Sequence, residues 1–461
     1  MLQLDLSKAF DMVSHDKLLA DIHLSNLPPE LKRWFNCYLH GRQSRVNFRN
    51  TLSKSRNIRA GVPQGAVTSP KLFNFYLANI PDPPPGVKLV QYADDLSVYK
   101  SLISIPEASE DINGYVPALV AFLNERELMV SAEKSTVTLF TPHNKEVNVH
   151  PQIYVNDQLV KLEKEPKLLG VTFDTMYTFS KHAKNTVTKA KKKANMLKSL
   201  AGSTWGQEKE VLTTTFKSIC RSTLEYAVPI WGPAISNTNW EALQRVQTSA
   251  LRIATGCLQM AGQEHVHRET KVLPLREHAT LLTKQFMATS HLPGHPGSKH
   301  LNRPPEHRKM KTSMLEHEIE VSNMFTAEVT TDSLKPVLRK LHTDTVTYCL
   351  NNYPPNRVLD TAPPEINAEE RYLPRSVRCE LSRLRSGFSR NLNEYMSRID
   401  PSIDNSCPEC EGAPHDSRHL FNCPSRPTDL EVTDLWTRPI EAANFLRLED
   451  EREADDLLQL G

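Results

Sequence analysis

Apolar and polar residues alternate with a period of two over Met1-Leu2-Gln3-Leu4-Asp5-Leu6. That pattern predicts a strand with Leu2, Leu4 and Leu6 on one face and Asp5 on the other. Over 14–39 the period becomes helical, with Leu18, Leu19, Ile22, Leu31, Trp34, Phe35 and Tyr38 forming apolar faces; Leu27-Pro28-Pro29 breaks it in two. A strand pair is expected across 44–48 and 57–60. Ser69-Pro70 reads as an N-cap followed by proline in the first helical position, and Phe73, Tyr76, Leu77 and Ile80 recur at helical spacing behind it. Over 89–99, apolar and aromatic residues flank Ala93-Asp94-Asp95, the pattern of a hairpin with two carboxylates at its tip.

Farther along, helices are expected over 181–198, 208–226 and 239–254, with Trp231-Gly232-Pro233 as a break. Trp240, Leu243, Val246, Ala250 and Ile253 make an apolar stripe on the last of them. The stretch 291–305 is rich in Pro, Gly and His without periodicity and reads as a linker with solvent-exposed histidines. Weaker helical patterns follow over 312–321 and 333–350, then proline clusters at Pro354-Pro355 and Pro363-Pro364. The chain closes with a short helix around Trp436 and Phe445 and an acidic tail over 449–456.

A length of 461 residues calls for two to four domains, and 32 prolines against 16 glycines point to stiff connectors. The formal charge of +2 names no partner by itself, so local basic patches must carry any such case. Eight cysteines, irregular apart from one cluster, favour a reducing compartment over a disulfide framework. No run of eighteen apolar residues and no secretory layout is present, so a nuclear or cytoplasmic, non-secreted protein without a transmembrane segment is expected.

Adjacent carboxylates at a hairpin tip repel one another. Asp94 and Asp95 are therefore either an exposed turn or a seat for a hard divalent cation such as Mg²⁺. Asp5, at a strand end, is either a cap or a third ligand. In Gly61-Val62-Pro63-Gln64-Gly65 the two glycines admit close backbone approach and Gln64 offers an amide to a base or sugar edge; alone, it is an ordinary turn before a helix. Six lysines of 184–198 and Lys181 form either a solvated face or a phosphate-contacting helix. The same two readings apply to Arg371, Arg375, Arg378, Arg383, Arg385, Arg390 and Arg398, interspersed with Tyr372, Phe388 and Tyr395. Cys407, Cys410, His419 and Cys423 are spaced C-x2-C-x8-H-x3-C, which suits tetrahedral Zn²⁺. His415 is a spare imidazole, and Cys37, Cys220, Cys257, Cys349 and Cys379 have no partner pattern.

Asp5 to Asp11, Gly61 to Pro70 and Tyr92-Ala93-Asp94-Asp95 resemble motifs A, B and C of reverse transcriptases of the non-LTR (long interspersed element) retrotransposon type. Leu123 to Leu128 with Ser131 to Ser135 resembles motif D, and Lys167 to Asp174 the primer-grip motif E. The resemblance implies two Mg²⁺ ions on Asp5, Asp94 and Asp95, and Phe10 as the group excluding a ribose 2′-hydroxyl, although Phe10 is equally a core aromatic. It implies Gln64 and Gly65 at the nascent base pair, Lys134 as proton donor to pyrophosphate (or a solvated lysine), and Leu169 and Gly170 on the primer. It also implies a C-terminal zinc knuckle with His419 as its imidazole. Ala66, Thr68 and Leu96-Ser97 depart from the commoner motif residues without touching the metal ligands. The fingers motifs that precede motif A in the family have no counterpart here, and the abrupt first strand suggests that something upstream is missing.

The expected architecture is α+β: a right-hand polymerase palm (antiparallel sheet plus helices, 1–180), a helical thumb and connection (181–290), a proline-rich linker and helical region (291–370), a basic segment with a CCHC zinc knuckle (371–430), and a short helix with an acidic tail (431–461). The expected function is RNA-directed DNA polymerisation from dNTPs on an RNA template with a DNA primer or target DNA, using Mg²⁺, with structural Zn²⁺ and no membrane. The rival is a catalytically inactive nucleic-acid-binding relic of a truncated element.

Overall fold

The computed structural model describes residues 1–202, 205–300, 312–325 and 329–448. They fall into two compact units, Met1–Tyr177 and Thr178–Gly461. The acidic tail expected over 449–456, and residues 301–305 of the expected linker, lie outside the described residues.

The first unit is built on β1 (Leu2–Leu6), whose leucines are buried while Gln3 and Asp5 are half exposed. After it come α1 (His15–Leu24), α2 (Pro29–Leu39) and a ribbon of four short strands, β2 (Gln43–Ser44), β3 (Asn47–Phe48), β4 (Thr51–Leu52) and β5 (Arg56–Asn57). The ribbon replaces the single strand pair expected across 44–48 and 57–60: β2 pairs β5, and β3 folds back on β4 through Arg49 and Asn50, both at positive φ. Next are α3 (Ser69–Tyr76), β6 (Val87–Tyr92), β7 (Asp95–Lys100), α4 (Ile105–Glu125) and β8 (Val130–Val137). The short strands β9 (Tyr154–Val155), β10 (Gln158–Leu159), β11 (Lys161–Leu162), β12 (Lys167–Leu168) and β13 (Val171–Thr172) complete the unit.

The main sheet has the order β11-β8-β1-β7-β6, antiparallel except for the parallel pair β11–β8, which departs from the all-antiparallel expectation. Apolar residues of β1, α1, α3, α4 and β7 share one core, among them Leu4, Ile22, Phe73, Tyr76, Leu119 and Val98. Helix α3 starts one residue earlier than the capping pattern implied. Thr68 is the N-cap residue, and the Ser69 hydroxyl, already inside the helix, donates to the Pro63 carbonyl at 2.5 Å.

The second unit contains α5 (Ser180–Lys198), α6 (Lys209–Thr215), α7 (Ser222–Leu224), α8 (Val228–Trp231), α9 (Asn237–Thr255), α10 (Gln263–Thr270) and α11 (Leu275–Ser290). Then follow α12 (Thr312–Ser322), α13 (Thr331–Asn352), α14 (Arg375–Ser386), α15 (Asn393–Met396), α16 (Asp434–Thr437) and α17 (Pro439–Phe445). A π-helical turn, Phe216–Arg221, bridges α6 and α7. The helices break where expected, since α8 ends at Trp231 and a 3-10 turn over Gly232–Ala234 precedes α9, and they break once more at Ala227, in left-handed conformation; Trp231 is fully buried and donates its indole N–H to the Tyr226 carbonyl at 2.8 Å. His291 is not solvent-exposed as expected: it is half-buried, bonding the Met287 carbonyl at 2.9 Å and the Ser322 hydroxyl at 3.2 Å.

The arginine segment departs furthest from expectation. Arg375, Arg378 and Arg385 are buried. Arg375 donates to the carbonyls of Gly202, Ile253 and Ala254, two of them at the C-terminal end of α9, where free carbonyls favour a cation. Arg378 pairs with Glu208 at 2.7 Å and Glu210 at 2.5 Å. These three side chains are neither a solvated face nor a nucleic-acid grip, because backbone carbonyls take up Arg375 and acids elsewhere in the unit take up Arg378 and Arg385. Arg371, Arg390 and Arg398 remain exposed.

Buried His267 gives this unit an acid-sensitive point. Its Nδ1 faces the Val272 carbonyl at 2.7 Å and its Nε2 faces the Gln244 amide at 2.9 Å, a pattern that fits the neutral ring with Nδ1 protonated. Burial, seconded by Arg221, holds its pKa down to about 4. The unfolded chain therefore takes up the proton first, so the stabilisation is complete above about pH 6.5 and lost as pH falls towards 4. Urea unfolding at stepped pH should show this unit losing about 3 kcal/mol across that window, and His267→Gln should flatten the slope there.

Candidate active site and Cys/His cluster

Asp5 lies on the central strand of the sheet. In the antiparallel register of β1 with β7, Leu4 faces Leu96, so the next step sets Asp5 beside Asp95. Strands β6 and β7 close into a hairpin at Tyr92↔Asp95, with Ala93 at φ 53 and Asp94 in the turn. Three carboxylates from two stretches far apart in sequence thus meet at one end of one sheet. Partial burial first, then Asp94 and then Asp5, push the Asp95 carboxyl above its ordinary range.

On its other side β1 pairs with β8, and the register slips. Gln3 faces Thr136 but Asp5 faces Ser131, so two steps along β1 match five along β8 and the intervening residues bulge. The bulge holds Lys134, whose Nζ lies 4.0 Å from Asp5 Oδ2, and Ser135, whose hydroxyl accepts the Asp5 N–H at 3.2 Å. Lys134 is two-thirds exposed, so this contact is a loose one. Ser135 was not singled out from sequence; its hydroxyl also donates to the Ser131 carbonyl at 2.7 Å, which pins the bulge beneath Asp5.

The Gly61–Pro70 loop is fastened to the segment after β1. Gly61 N–H donates to the Val13 carbonyl at 2.7 Å and Val62 N–H to the Phe10 carbonyl at 2.9 Å. Gly61 has φ +91, and a Cβ there would sit 2.9 Å from the Asp11 carbonyl oxygen, so only glycine admits this approach. Gln64 donates to Asp11 Oδ1 at 3.1 Å and is exposed, as is Gly65 at φ 86. The Phe10 ring stacks on Phe73 at 4.5 Å and stays half exposed, so it is a core contact that also presents an edge outward. Leu169 and Gly170 form the turn between β12 and β13, both at positive φ, and Gln3 of β1 donates to the Lys167 carbonyl at 3.4 Å.

In the second unit, the ligand atoms of Cys407, Cys410, His419 and Cys423 all lie within 4.8 Å of one another. Cys410 Sγ is 3.2 Å from His419 Nε2, and Cys407 Sγ is 3.9 Å from Cys423 Sγ. Desolvation acts to raise the Cys407 thiol, but the backbone N–H groups of Glu409 and Cys410 hold it down to about 7, while burial pushes Cys423 up. His415 is not part of the cluster: its Nδ1 accepts the Asn393 N–H at 3.2 Å. Three sulfurs and one imidazole nitrogen, packed this closely, are the donor set that Zn²⁺ prefers.

The seven lysines of α5 are all exposed, while Ala183, Ala190, Ala194 and Leu197 bury the opposite face. Among the described residues, no helix is long and apolar enough to cross a membrane.

Residues 1–173 match the family described as reverse transcriptase (RNA-dependent DNA polymerase). Three Drosophila melanogaster proteins are similar over longer stretches. The probable RNA-directed DNA polymerase from transposon BS is 27% identical over 290 residues, 61% of this chain and 32% of that protein. The corresponding protein of transposon X-element is 29% identical over 58% of this chain and 30% of its own length. The RNA-directed DNA polymerase from mobile element jockey is 26% identical over 64% of this chain and 32% of its own length. The chain thus spans about a third of the length of the curated relatives it matches.

Proposed function

We propose that the chain is an RNA-directed DNA polymerase of a non-LTR retrotransposon, on the ground that residues 1–173 match the reverse transcriptase (RNA-dependent DNA polymerase) family. It extends a DNA primer or nicked target DNA with dNTPs on an RNA template. The observation that carries this reading is the meeting of Asp5, Asp94 and Asp95, with the Asp95 carboxyl pushed up by partial burial first and then by its two neighbours. An all-oxygen, mutually repelling donor set of this kind fits Mg²⁺. Bound there, two Mg²⁺ ions would supply activation of the primer 3′-hydroxyl and charge neutralisation of the triphosphate.

The other roles belong to the chain's own groups. Phe10, propped by Phe73, presents an edge that excludes a ribose 2′-hydroxyl. Gln64, held by Asp11, and Gly65 line the nascent base pair. Lys134, reaching over the bulge toward Asp5, delivers a proton to the departing pyrophosphate. The Leu169–Gly170 turn positions the primer strand, and the lysine face of α5 acts as a thumb surface for backbone phosphates.

The Cys/His cluster is a structural zinc knuckle in this reading, closed by four protein ligands. Purified protein should carry about one zinc ion per chain, and Cys410→Ser should remove it; zinc content unchanged by that substitution would refute the ligand set.

The function is tested by extending a labelled DNA primer on an RNA template with dNTPs and Mg²⁺, with Asp94→Asn as control. Asp94-dependent extension supports the polymerase. RNA binding without such extension would instead favour the inactive nucleic-acid-binding relic.

A further inference from the structure

The loop between α9 and α10 holds a thiol among groups that the polymerase reading does not use. Gly256 caps α9 in left-handed conformation, and buried Cys257 follows it. Cys257 Sγ lies 3.1 Å from the Ser382 hydroxyl of α14. Buried His265 of α10 enters the same seam: its Nε2–H donates to the Ser382 carbonyl at 3.0 Å, and it lies 3.9 Å from Glu269. One turn earlier on α14, Cys379 is pressed against Gly256. A Cβ on that glycine would run into Cys379 Sγ and would lie 3.3 Å from the Cys379 α-carbon. With a C–C bond of about 1.5 Å, the α-carbons of 256 and 379 are thus within about 5 Å. Cys257 is the next residue, so the two thiols flank one seam. A disulfide, which spans α-carbons about 4.4–6.8 Å apart, asks little movement of the loop.

The two thiols differ in their surroundings. Burial acts to raise the Cys257 thiol, but the His265 imidazole and the Ser382 hydroxyl outweigh burial and Glu269 together, and lower it. Burial acts to lower His265, and Cys257 and Glu269 outweigh it, so each member of the pair favours charge on the other. Arg252 of α9 also acts on Cys257. Cys379 is pushed up by burial, which Arg375 and Arg383 offset only in part. Access differs as well: Cys257 lines a cavity of about 760 Å³, together with Lys198, Arg245 and Arg252. A sulfur beside cations and open to a cavity is held as the thiolate, the form that reacts.

We propose that Cys257 and Cys379 are a thiol pair sensitive to hydrogen peroxide, in which Cys257 is oxidised first and Cys379 then closes a disulfide between the α9–α10 loop and α14. The Cys257 thiolate attacks one peroxide oxygen; an S–O bond forms, the O–O bond breaks, and hydroxide leaves. That hydroxide takes up the proton Cys257 had passed to His265, giving water and a sulfenic acid. The Cys379 sulfur then attacks the Cys257 sulfur, and the S–O bond breaks with loss of a second water. Two thiols are oxidised by two electrons and one peroxide is reduced. In a reducing compartment such a bridge is transient, which suits a sensor rather than a staple.

The test treats the full chain with hydrogen peroxide, with and without dimedone as a sulfenic-acid trap, and reads each cysteine peptide by mass spectrometry. Cys220 and Cys349 are internal references, because burial pushes both thiols up to about 11. Folded Cys257 should react at least about tenfold faster than either, and the advantage should vanish in urea. A Cys257–Cys379 peptide that reductant splits is expected from the parent, and a dimedone adduct on Cys257 from Cys379→Ser. The folded Cys257 rate should persist below pH 8, whereas an ordinary thiol of pKa about 8.5 slows about tenfold per unit there. His265→Gln should restore that fall while leaving the melting temperature of the second unit close to the parent's. Cys257 reacting no faster than Cys220 and Cys349 in the folded chain would overturn the proposal. So would a disulfide from Cys257 to some other cysteine, or a pH profile that His265→Gln leaves unchanged. No step needs polymerase turnover, so these outcomes are independent of primer extension.

Discussion

Asp94→Asn should cut primer extension by on the order of 10³-fold or more while leaving the melting temperature of the metal-free protein unchanged or higher. The first half follows from position. Asp94 sits in the turn that faces Asp5 across the β1–β7 register, and asparagine supplies neither the charge nor the second oxygen that a hard cation demands. The second half follows from repulsion. The Asp95 carboxyl is pushed up by partial burial and then by Asp94 and Asp5, so the cluster is electrostatically uncomfortable when no cation neutralises it. Removing one of the charges relieves that discomfort, the trade between stability and activity expected of a site built for a ligand. Raising Mg²⁺ should stabilise the parent chain more than the variant, measured as the shift in melting temperature. A variant that melts well below the parent without Mg²⁺ would mean that Asp94 serves the hairpin rather than an ion. Lys134→Ala, on an exposed side chain 4.0 Å from Asp5, should cost far less than either aspartate.

The site was more legible in the sequence than the unit behind it. Period-two alternation gave β1, which buries one face, and the apolar and aromatic flanks of Ala93-Asp94-Asp95 gave the hairpin, whose tip needs only that local pattern. The spacing of the thiols placed Cys407, Cys410 and Cys423 together with His419, since short loops leave few other closures. Helix α4 was missed because Gly114 and Pro117 interrupt a stripe of Ile112, Tyr115, Val116, Leu119 and Leu123 that is regular all the same. The bulge that lifts Lys134 and Ser135 beside Asp5 depends on β8 pairing with a strand more than 120 residues away, and no local pattern records such a slip. The arginines failed for a related reason. Their acidic partners, Glu208, Glu210, Glu269 and Glu370, are scattered over the chain, so a count of local charge saw only cations.

Arg385→Met should destabilise the second unit by about 3–5 kcal/mol in urea unfolding followed by tryptophan fluorescence. Arg385 is fully buried, and its guanidinium is spent on three partners. Nη1 donates to Glu269 at 3.2 Å, Nη2 to Glu370, and Nε to the Leu435 carbonyl at 2.8 Å. Lys209 bridges the same two carboxylates, at 3.3 Å from Glu269 and 2.8 Å from Glu370. Burial alone would raise the Glu269 carboxyl; Arg385 first, then Lys209 and His265, outweigh it and hold the pKa at about 2. Methionine fills much of the volume but leaves two buried carboxylates facing one fewer cation, and that imbalance sets the size of the loss. Depressed from about 4.5 to about 2, Glu269 contributes stability that is complete above the unfolded value and lost as pH falls through 4.5 towards 2. The variant should therefore flatten the acid limb of the stability profile as well as lower its plateau. Adding Glu269→Gln to Arg385→Met should restore part of the loss, because the second change removes the charge that the first one stranded. Two independent losses that simply add would show instead that the pair is not coupled. The arginine segment would then owe its burial to packing around Trp436, whose ring lies 5.8 Å from the Arg385 guanidinium, and not to ion pairing.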